Sequence, residues 1–341
     1  MRFEGGRRRF IAAAAALAFA ASLSRTGGTA TATTLSSVEA RCPASGKTFT
    51  AITVLSTNSL GGTDWDFLVR PDGAYPQLFS IWTCPYDGFS AYDEDFASAK
   101  VDQSLLGKLS KPPLTEEEKS SPDSQWAVPF HIKIDNAAIY YESIGKNDKF
   151  MGDLYTLGGW LARIENVKLD IDRGQSFADR LESLVPDEYK DKQLKMFEMF
   201  FVLGSMLERD ADPSDPEYGL DMLFAAEFYR LSGEHLIAEE LLDDISDDSS
   251  LAKEIATVRA LIGYERKYQK LAVERYSAAL RNREIPGEST CDVTFLAAEL
   301  SRRIGDYAAA SKFFGNVMRM DECPKTAKEL AAEIVKSAEL D

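Results

Sequence analysis

A helix-turn-helix pattern recurs between residues 224 and 318, and it constrains the fold of this chain more than any other feature. Each copy has a small residue, at Ala238, Ala272 or Ala310, and a large residue four positions later on the same helical face. A small residue allows two helices to approach closely, and the large one fills the space beside their contact. The copies recur roughly every 34 to 38 residues. The pattern therefore predicts a series of antiparallel helix pairs.

The turns between these helices support the prediction to different degrees. Gly-Asp-Tyr (305–307) is a good turn, Gly-Glu-His (233–235) is a partial one, and Arg-Lys-Tyr (266–268) replaces it in the middle copy. A helix-turn-helix period of about 34 residues resembles tetratricopeptide (TPR) repeats, in which helix pairs stack into an α-solenoid. The alternative is an irregular helical domain whose copies look alike only because each helix is amphipathic.

Helical periodicity continues from residue 131 onward, so residues 131–341 are predicted to form the TPR-like domain. Helices are predicted at 133–144, 148–165, 174–183, 189–208, 217–231, 235–245, 249–264, 268–282, 291–304, 307–319 and 325–339. The sequence Asp-Pro-Ser-Asp-Pro (212–216) is the clearest break, because its prolines end one helix and begin the next.

Residues 1–32 have the features of an export signal rather than of a folded element. Arginines at 7–9 precede an apolar run that ends at Leu23 and is shorter than the roughly 20 residues that cross a bilayer. Small residues at Ala30 and Ala32 suit a signal peptidase, so cleavage after Ala32 is predicted. The order Arg-Arg-x-Phe-Ile resembles a twin-arginine signal; this route, the general secretory route and an uncleaved anchor are the alternatives. We therefore expect an exported bacterial protein, periplasmic or secreted.

The charge balance narrows the class of partner. The chain has 55 Asp and Glu against 39 Lys and Arg, a formal net charge of −16. Such a charge repels phosphate backbones, so nucleic acid is not expected as a partner. No segment after residue 32 is apolar enough to suggest a membrane span. An apolar fraction of 45% is enough for a large core.

Residues 33–98 differ in character from the helical region. The segments 47–54 and 78–83 are rich in β-branched and aromatic residues, and Gly-Gly (61–62) and Pro-Asp-Gly (71–73) separate them. We predict a small β-rich module at 33–98 and, because 111–122 is rich in proline, glutamate and serine, a linker at 99–130. The predicted fold is therefore mainly α: a TPR-like α-solenoid preceded by a small β-rich module that contains cysteine.

Two similar sequence motifs flank these strands. They read Cys-Pro-Ala-Ser-Gly (42–46) and Cys-Pro-Tyr-Asp-Gly (84–88), and Asp-Trp-Asp-Phe (64–67) and Trp82 lie between them. This opening is similar to that of a bacterial family of unknown function, domain-of-unknown-function family 2225. Its members carry Cys-Pro-x-Cys-Gly twice, ahead of a TPR-like helical region. Where all four thiolates are present, the resemblance implies a tetrahedral structural zinc site.

This chain departs from the family pattern at Ser45 and Asp87, which stand where the resemblance expects cysteine. A zinc site would place its sulfur ligands within about 4 Å of one another, so Cys42 and Cys84 are expected to lie close together. We favour a Cys42–Cys84 disulfide, because exported proteins meet an oxidising environment. Zinc held by Cys42, Cys84, Asp87 and an outside ligand is an alternative, as are two separate thiols. No other cofactor is expected.

The other two cysteines fall at the ends of the last predicted helix pair. Cys291 begins one helix and Cys323 follows the next, and antiparallel helices bring those ends together. We predict a Cys291–Cys323 disulfide, with two unrelated thiols as the alternative. No Cys-x-x-Cys occurs, which argues against a redox-active motif of that type.

Catalytic patterns are absent from the sequence. His131 and His235 are its two histidines, and His235 occupies a turn position where a packed ring is expected. Aspartates at 210–215 and 243–248 lack the spaced ligands of an EF-hand, so solvated helix ends are favoured over calcium binding. We therefore expect a non-enzymatic scaffold whose groove binds a basic or neutral protein or peptide segment. The alternatives are a metal-dependent or redox enzyme using the Cys42 and Cys84 region, and a structural envelope component.

Overall fold

The computed structural model describes residues 33–165, 195–245 and 250–337. The predicted signal peptide at 1–32 and the predicted helix at 174–183 lie outside these residues. Within them the chain is mainly helical, with a small β region near its beginning, as predicted. None of the described helices is both long and apolar enough to cross a bilayer.

Two antiparallel hairpins form the β region. Strand β1 (Thr34–Arg41) pairs with β2 (Thr48–Ser56), and β3 (Ile81–Thr83) pairs with β4 (Ser90–Tyr92). The strand predicted at 47–54 corresponds to β2. The strand predicted at 78–83 is wrong in its first half, where Pro76–Phe79 forms a 3-10 turn, because a proline at the start favours a helical turn. Strand β1 was not predicted.

Residues 99–130, predicted as a linker, pack against the β region. Three short helices lie there, α2 (Gln103–Leu106), α3 (Glu116–Ser120) and α4 (Ser124–Ala127), after a first short helix α1 (Asp93–Phe96). Gln125 pairs with the backbone N–H and C=O of Thr83, at 3.1 and 2.6 Å. The side chain of Asn136 joins Ser110 to Gly88 by hydrogen bonds of 2.7 to 2.9 Å. The segment is thus fixed by buried polar contacts that its composition does not reveal.

Nine longer helices follow in the described residues. They are α5 (Phe130–Ser143), α6 (Asp148–Ile164), α7 (Met196–Asp210), α8 (Tyr218–Ser232), α9 (His235–Asp244), α10 (Ala252–Asn282), α11 (Gly287–Arg303), α12 (Tyr307–Arg319) and α13 (Lys325–Ser337). The predicted turns at 233–235 and 305–307 are present. Gly233 and Gly305 both adopt left-handed backbone, with φ of +88° and +82°, which glycine enters without steric cost. Helices α8–α9 and α11–α12 are therefore hairpins.

The middle copy of the predicted repeat is not a hairpin. Helices predicted at 249–264 and 268–282 are one continuous helix, α10, of 31 residues. No glycine or proline interrupts 264–268, and Glu265, Tyr268 and Ala272 continue a single buried face across the expected turn. The helix therefore has no reason to break, and a regular TPR succession is not specifically shown.

Helix α10 packs along α6 rather than folding back on itself. The close approach depends on glycines of α6: a Cβ at Gly152 would lie 2.5 Å from the ring of Tyr276, and one at Gly158 would lie 2.9 Å from the ring of Tyr268. The small residues that matter for this contact are thus on α6, facing the large residues of α10. The sequence pattern had assigned both roles to α10.

A single hydrophobic cluster joins the β region to the helices. It contains Phe49, Phe89 and Phe96 of the β region together with buried residues of α5, α6, α10 and α11. The ring centroid of Phe96 lies 5.6 Å from that of Phe49 and 5.2 Å from that of Phe89. A second cluster occupies α7–α9 with the start of α10, and a third occupies α11–α13.

Cys291 and Cys323 are bonded as a disulfide within the third cluster. Their Cα atoms are 5.3 Å apart, at the start of α11 and just after α12. The bond closes a loop of 32 residues, for which the chain-entropy model gives about 4 kcal/mol of stabilisation.

Candidate functional site

A tight turn at 64–68 places one aromatic side chain at the surface. The N–H of Phe67 donates to the carbonyl of Asp64 at 3.0 Å, and the N–H of Asp64 donates to that of Leu68 at 2.9 Å. Phe67 has a φ of +67°, in the left-handed region that glycine and asparagine favour. A bulky residue there carries backbone strain, so the surrounding structure must hold this turn in place.

Buried arginines hold the turn. Arg70 pairs with both carboxylate oxygens of Asp64, at 2.7 and 2.8 Å. Arg163, on α6, donates to Asp64 at 3.0 Å and to both oxygens of Asp66 at 3.0 and 2.6 Å. All four side chains have no solvent exposure. Burial alone would raise the pKa of Asp66, but the charges of Arg163 and Arg303 hold it well below its usual range.

The same arginine extends the network to α10. Arg163 donates to Glu265 at 2.8 and 2.5 Å, and Glu265 also faces His235 Nε2 at 2.8 Å. Burial would raise the pKa of Glu265, whereas the charges of Arg163 and His235 lower it to about 2. His235 is buried at the predicted turn position, as expected, but it contacts this carboxylate as well as the apolar core. The network therefore joins the turn at 64–68 to three helices.

Other arginines bind the ends of helices. Arg230 pairs with Glu227 and donates to the carbonyls of Ala162 and Arg163 at 2.8 and 2.9 Å, which satisfies the end of α6. Gly233 has a φ of +88°, and a Cβ there would lie 1.6 Å from Nη1 of Arg303, so any other residue would strain the turn before α9 and displace this arginine. The paired charges of the network position the elements around it, although Nη1 of Arg303 and Nδ1 of His235 have no hydrogen-bond partner among the described residues.

A cavity of about 440 Å³ lies between this turn, α6 and α11. Phe67 lies at its edge, 36% exposed, with its ring stacked on Phe295 at 5.9 Å between centroids. Trp160 also lines the cavity and donates its Nε1–H to Asp66 at 3.2 Å. The buried network therefore fixes two aromatic side chains of the cavity wall.

Several polar side chains that line the cavity form hydrogen bonds with one another. Asp153 accepts hydrogen bonds from the Tyr276 hydroxyl at 2.9 Å and from Lys149 at 2.5 Å. Burial and the charge of Asp153 raise the pKa of Tyr276 well above its usual range, so its hydroxyl keeps its proton. Asp292 lines the same cavity from α11 and is exposed. The cavity thus combines aromatic and aliphatic walls with an acidic edge.

A second cluster lies where the two Cys-Pro motifs meet. Each motif forms the same turn: the N–H of Gly46 donates to the carbonyl of Cys42 at 2.8 Å, and the N–H of Gly88 donates to that of Cys84 at 2.9 Å. Both glycines have left-handed backbone, with φ of +70° and +82°. The turns end β1 and β3, and they face each other, as the resemblance implied. We refer to them as the knuckle pair.

The knuckle pair brings the predicted metal ligands together. Sulfur atoms of Cys42 and Cys84 and a carboxylate oxygen of Asp87 all lie within 4.8 Å of one another. The Asp87 carboxylate is 3.2 Å from Cys42 Sγ, and Ser45 Oγ is 3.9 Å from Cys84 Sγ. The three potential ligands are therefore close enough to share one ion, and Ser45, at the fourth position expected from the resemblance, lies beside Cys84. Among the residues that the structure describes, this is the only such group of three potential ligands.

The favoured Cys42–Cys84 disulfide is not present in the structure. Both residues are buried free thiols. The Cys42 thiol donates to Asp87, so the aspartate that stands in place of a cysteine partners the remaining one. The hydrogen bond between the two thiols, followed by burial, raises the pKa of Cys84, and the same hydrogen bond lowers that of Cys42.

The remaining candidates have local roles. His131 stacks on Tyr264, with centroids 4.7 Å apart. Asp212 caps its own turn by accepting from Ser214 N–H at 2.9 Å, which matches a helix end rather than a calcium loop. Of the aspartates at 243–248, those at 247 and 248 lie outside the described residues.

A comparison with models of protein families finds a match over part of this chain. A search of the curated proteins and a search of the solved structures each find none. The match begins after the cysteine-containing module and covers α8 to α13. Residues 215–338 match the model of the family described as "Uncharacterized protein conserved in bacteria (DUF2225)", which confirms the family resemblance over α8 to α13 and not over the earlier helices or the cysteine-containing module.

Proposed function

We propose that this protein is an exported, non-enzymatic scaffold that binds a segment of a protein or peptide partner in the cavity between the turn at 64–68, α6 and α11. The observation that carries the proposal is Phe67. A bulky aromatic residue is held in left-handed backbone and remains 36% exposed at the cavity edge. Strain of this kind costs about 1 to 3 kcal/mol, and it is typical of functional positions.

The volume and the lining of the cavity suit a side chain of a bound segment. Its volume of about 440 Å³ exceeds what one side chain fills, and its walls include Phe67, Trp160 and Leu296. Binding surfaces concentrate their energy in a few aromatic anchors that enter desolvated pockets. An aromatic or aliphatic anchor residue of the partner is therefore the expected occupant.

Charge indicates what should lie next to that anchor. Asp153 and Asp292 line the cavity against the single cation Lys149, and the whole chain carries a net charge of −16. A segment with a lysine or arginine beside its apolar anchor complements this edge, whereas an acidic segment is repelled. The lining that the structure describes contains neither histidine nor cysteine, and burial raises the pKa of its two tyrosines, Tyr92 and Tyr276, so both keep their protons. The cavity therefore favours binding over catalysis.

The test is selection of short random peptides against the purified full chain, followed by titration of the selected sequences. We expect peptides that pair an apolar residue with Lys or Arg, and roughly a tenfold loss of affinity in Phe67→Ala. Asp292→Asn should weaken only peptides that carry the basic residue. Leu55→Ala is the matched control, because Leu55 is a hydrophobic residue that is 65% exposed and is not part of the cavity lining. Equal binding by the Phe67 and Leu55 variants would contradict the proposal.

The export part of the proposal has its own test. Cleavage after Ala32 should give a mature chain that begins at Thr33, measured by mass spectrometry of the protein from the periplasm and medium of a bacterial host. Replacing Arg7 and Arg8 by lysine should stop export if the twin-arginine route is used and leave it intact if the general secretory route is used. Recovery of the uncleaved chain in the cytoplasm alone would contradict export.

A further inference from the structure

We propose that the knuckle pair binds one zinc ion through Cys42, Cys84 and Asp87, and that its fourth coordination position is open to water, so that the ion exchanges readily. The proposal concerns the β region and does not depend on the cavity beside Phe67. It differs from the closed site of four thiolates that the family resemblance implies, because two of the ligand positions have changed.

The two turns place their ligands before any ion binds. Each cysteine is fixed by two backbone hydrogen bonds: Cys42 N–H to Lys47 C=O and Cys84 N–H to Phe89 C=O, both 2.8 Å, besides the glycine bonds to their carbonyls. Two sulfurs bound to one zinc at about 2.3 Å lie up to about 4 Å apart. Ligand atoms already within 4.8 Å therefore need little movement to coordinate.

Asp87 is oriented toward the same point. Its Oδ1 accepts the N–H of Phe89 at 3.0 Å, while Oδ2 lies 3.2 Å from Cys42 Sγ. A second hydrogen bond of this kind fixes a coordinating carboxylate and leaves its other oxygen for the metal. Two thiolates and a carboxylate are a donor set that suits zinc.

The surroundings balance the charge of this set. Zinc with two thiolates and one carboxylate carries an excess of negative charge. Arg41 donates to the carbonyl of Gly46 at 3.1 Å in the first turn, and Lys47 Nζ lies 4.3 Å from the ring centroid of Tyr86 in the second. Arg41 and Lys47 stand directly before and after the first turn in the chain, so their positive charges offset part of this excess.

Ser45 makes the fourth position open. It occupies the place of the second cysteine of the first turn, with Oγ 3.9 Å from Cys84 Sγ, and it is exposed, whereas Cys42 and Cys84 are 1% and 0% exposed. A neutral serine hydroxyl is not among the usual zinc ligands, so water completes the coordination. Solvent therefore reaches the ion from the side of Ser45.

The test is anaerobic titration of the purified full chain with Co²⁺, whose absorption reports tetrahedral thiolate coordination. A thiol assay in denaturant should first find two free thiols per chain, because Cys291 and Cys323 are bonded. We expect one Co²⁺ per chain with sulfur-to-metal charge transfer, displaced by one equivalent of Zn²⁺. Cys84→Ser should abolish this spectrum, and Asp87→Asn should weaken binding at least roughly tenfold. Asp72→Asn, an exposed aspartate of the same region, is the control.

The open position is tested by Ser45→Cys, which adds a ligand and does not rely on a loss of function. We expect this variant to bind Zn²⁺ more tightly and to release it to a chromogenic chelator more slowly than the parent chain. Circular dichroism checks that each variant is folded. The proposal is overturned if the parent chain with two free thiols gives no thiolate spectrum, if the thiols are absent because Cys42 and Cys84 are bonded, or if Cys84→Ser keeps the spectrum. Equal release rates for Ser45→Cys and the parent overturn the open position.

Discussion

Arg163→Met should destabilise the fold strongly, because Arg163 is the one partner that Asp64, Asp66 and Glu265 share in the described network. All of these side chains have no solvent exposure. Methionine retains much of the volume but leaves buried carboxylates with less countercharge. Removing one partner of a buried ion pair costs about 3 to 5 kcal/mol.

The exposed pair between Arg266 and Glu239 is the matched control. Its nitrogen and oxygen are 2.8 Å apart, as close as the buried pairs, but its side chains are 36% and 37% exposed. Solvent screens such a pair, so Arg266→Met should change stability by no more than about 1 kcal/mol. The two variants remove the same chemical group and differ in burial.

The stability of the Arg163→Met variant should also depend on pH, in a direction that the pKa of Glu265 predicts. In the parent chain the folded-state pKa of Glu265 is lowered to about 2 from an unfolded value of 4.5, so its stabilisation is complete above pH 4.5 and is lost as pH falls toward 2. In Arg163→Met, Asp66 and Glu265 have lost their nearest positive charge, whereas Asp64 keeps Arg70, and the pKa values of Asp66 and Glu265 should rise in the folded state. Protonation then relieves the buried charge. The stability difference between variant and parent should therefore shrink as pH falls from 7 to 5.

Urea denaturation followed by circular dichroism at pH 7 and pH 5 measures both effects. The expected loss is a large fraction of the roughly 5 to 15 kcal/mol by which domains are stable. A second change, Asp66→Asn, should recover part of the loss in the Arg163→Met background although it is destabilising alone. A difference between variant and parent below about 1 kcal/mol at pH 7, or one that does not vary with pH, would refute the reasoning.

Three further predictions concern single features of the fold. Phe67→Gly should be more stable than Phe67→Ala by about 1 kcal/mol in urea denaturation, because glycine relieves the left-handed strain that alanine keeps; equal stabilities would contradict the strain. Replacing Cys291 and Cys323 together by serine should cost about 4 kcal/mol, and a reductant should then have no further effect on the urea midpoint. Gly152→Ala should destabilise by about 1 to 3 kcal/mol through a clash 2.5 Å from a tyrosine ring, whereas Gly263→Ala, with nothing within 4 Å, should stabilise by up to about 1 kcal/mol. The prediction requires that the two glycine variants change the free energy of unfolding in opposite directions; changes in the same direction would contradict it.

Local signals account for the features that could be predicted from the sequence. Gly233 and Gly305 end helices because glycine adopts left-handed backbone without cost, and both hairpins form where the turns were expected. The knuckle pair could be recognised because each turn is specified within five consecutive residues. The disulfide of Cys291 and Cys323 followed from the antiparallel arrangement of neighbouring helices.

The sequence predictions differ from the structure where the same local pattern is compatible with two different structures. Residues 264–268 can continue a helix or end it, and the buried face of α10 decides for continuation. The linker prediction at 99–130 rested on polar composition, but Gln125 of this segment pairs with the backbone of Thr83, and Asn136 of α5 holds the backbone of Ser110 beside Gly88. Nothing in the composition of a segment tells whether its polar groups bind water or protein.

The sequence by itself determined the helical class, the two glycine turns and the similar cysteine turns, because each depends on residues close together in the chain. Only the tertiary structure decided that Arg163 meets Glu265, 102 residues away, and Asp66, 97 residues away. It alone decided that Phe67 stands at a cavity edge. The physical reason is that an ion pair between distant residues leaves no period or spacing in the sequence. Burying its charges costs free energy, and the attraction between the partners offsets that cost only when all of them are in place in the folded protein.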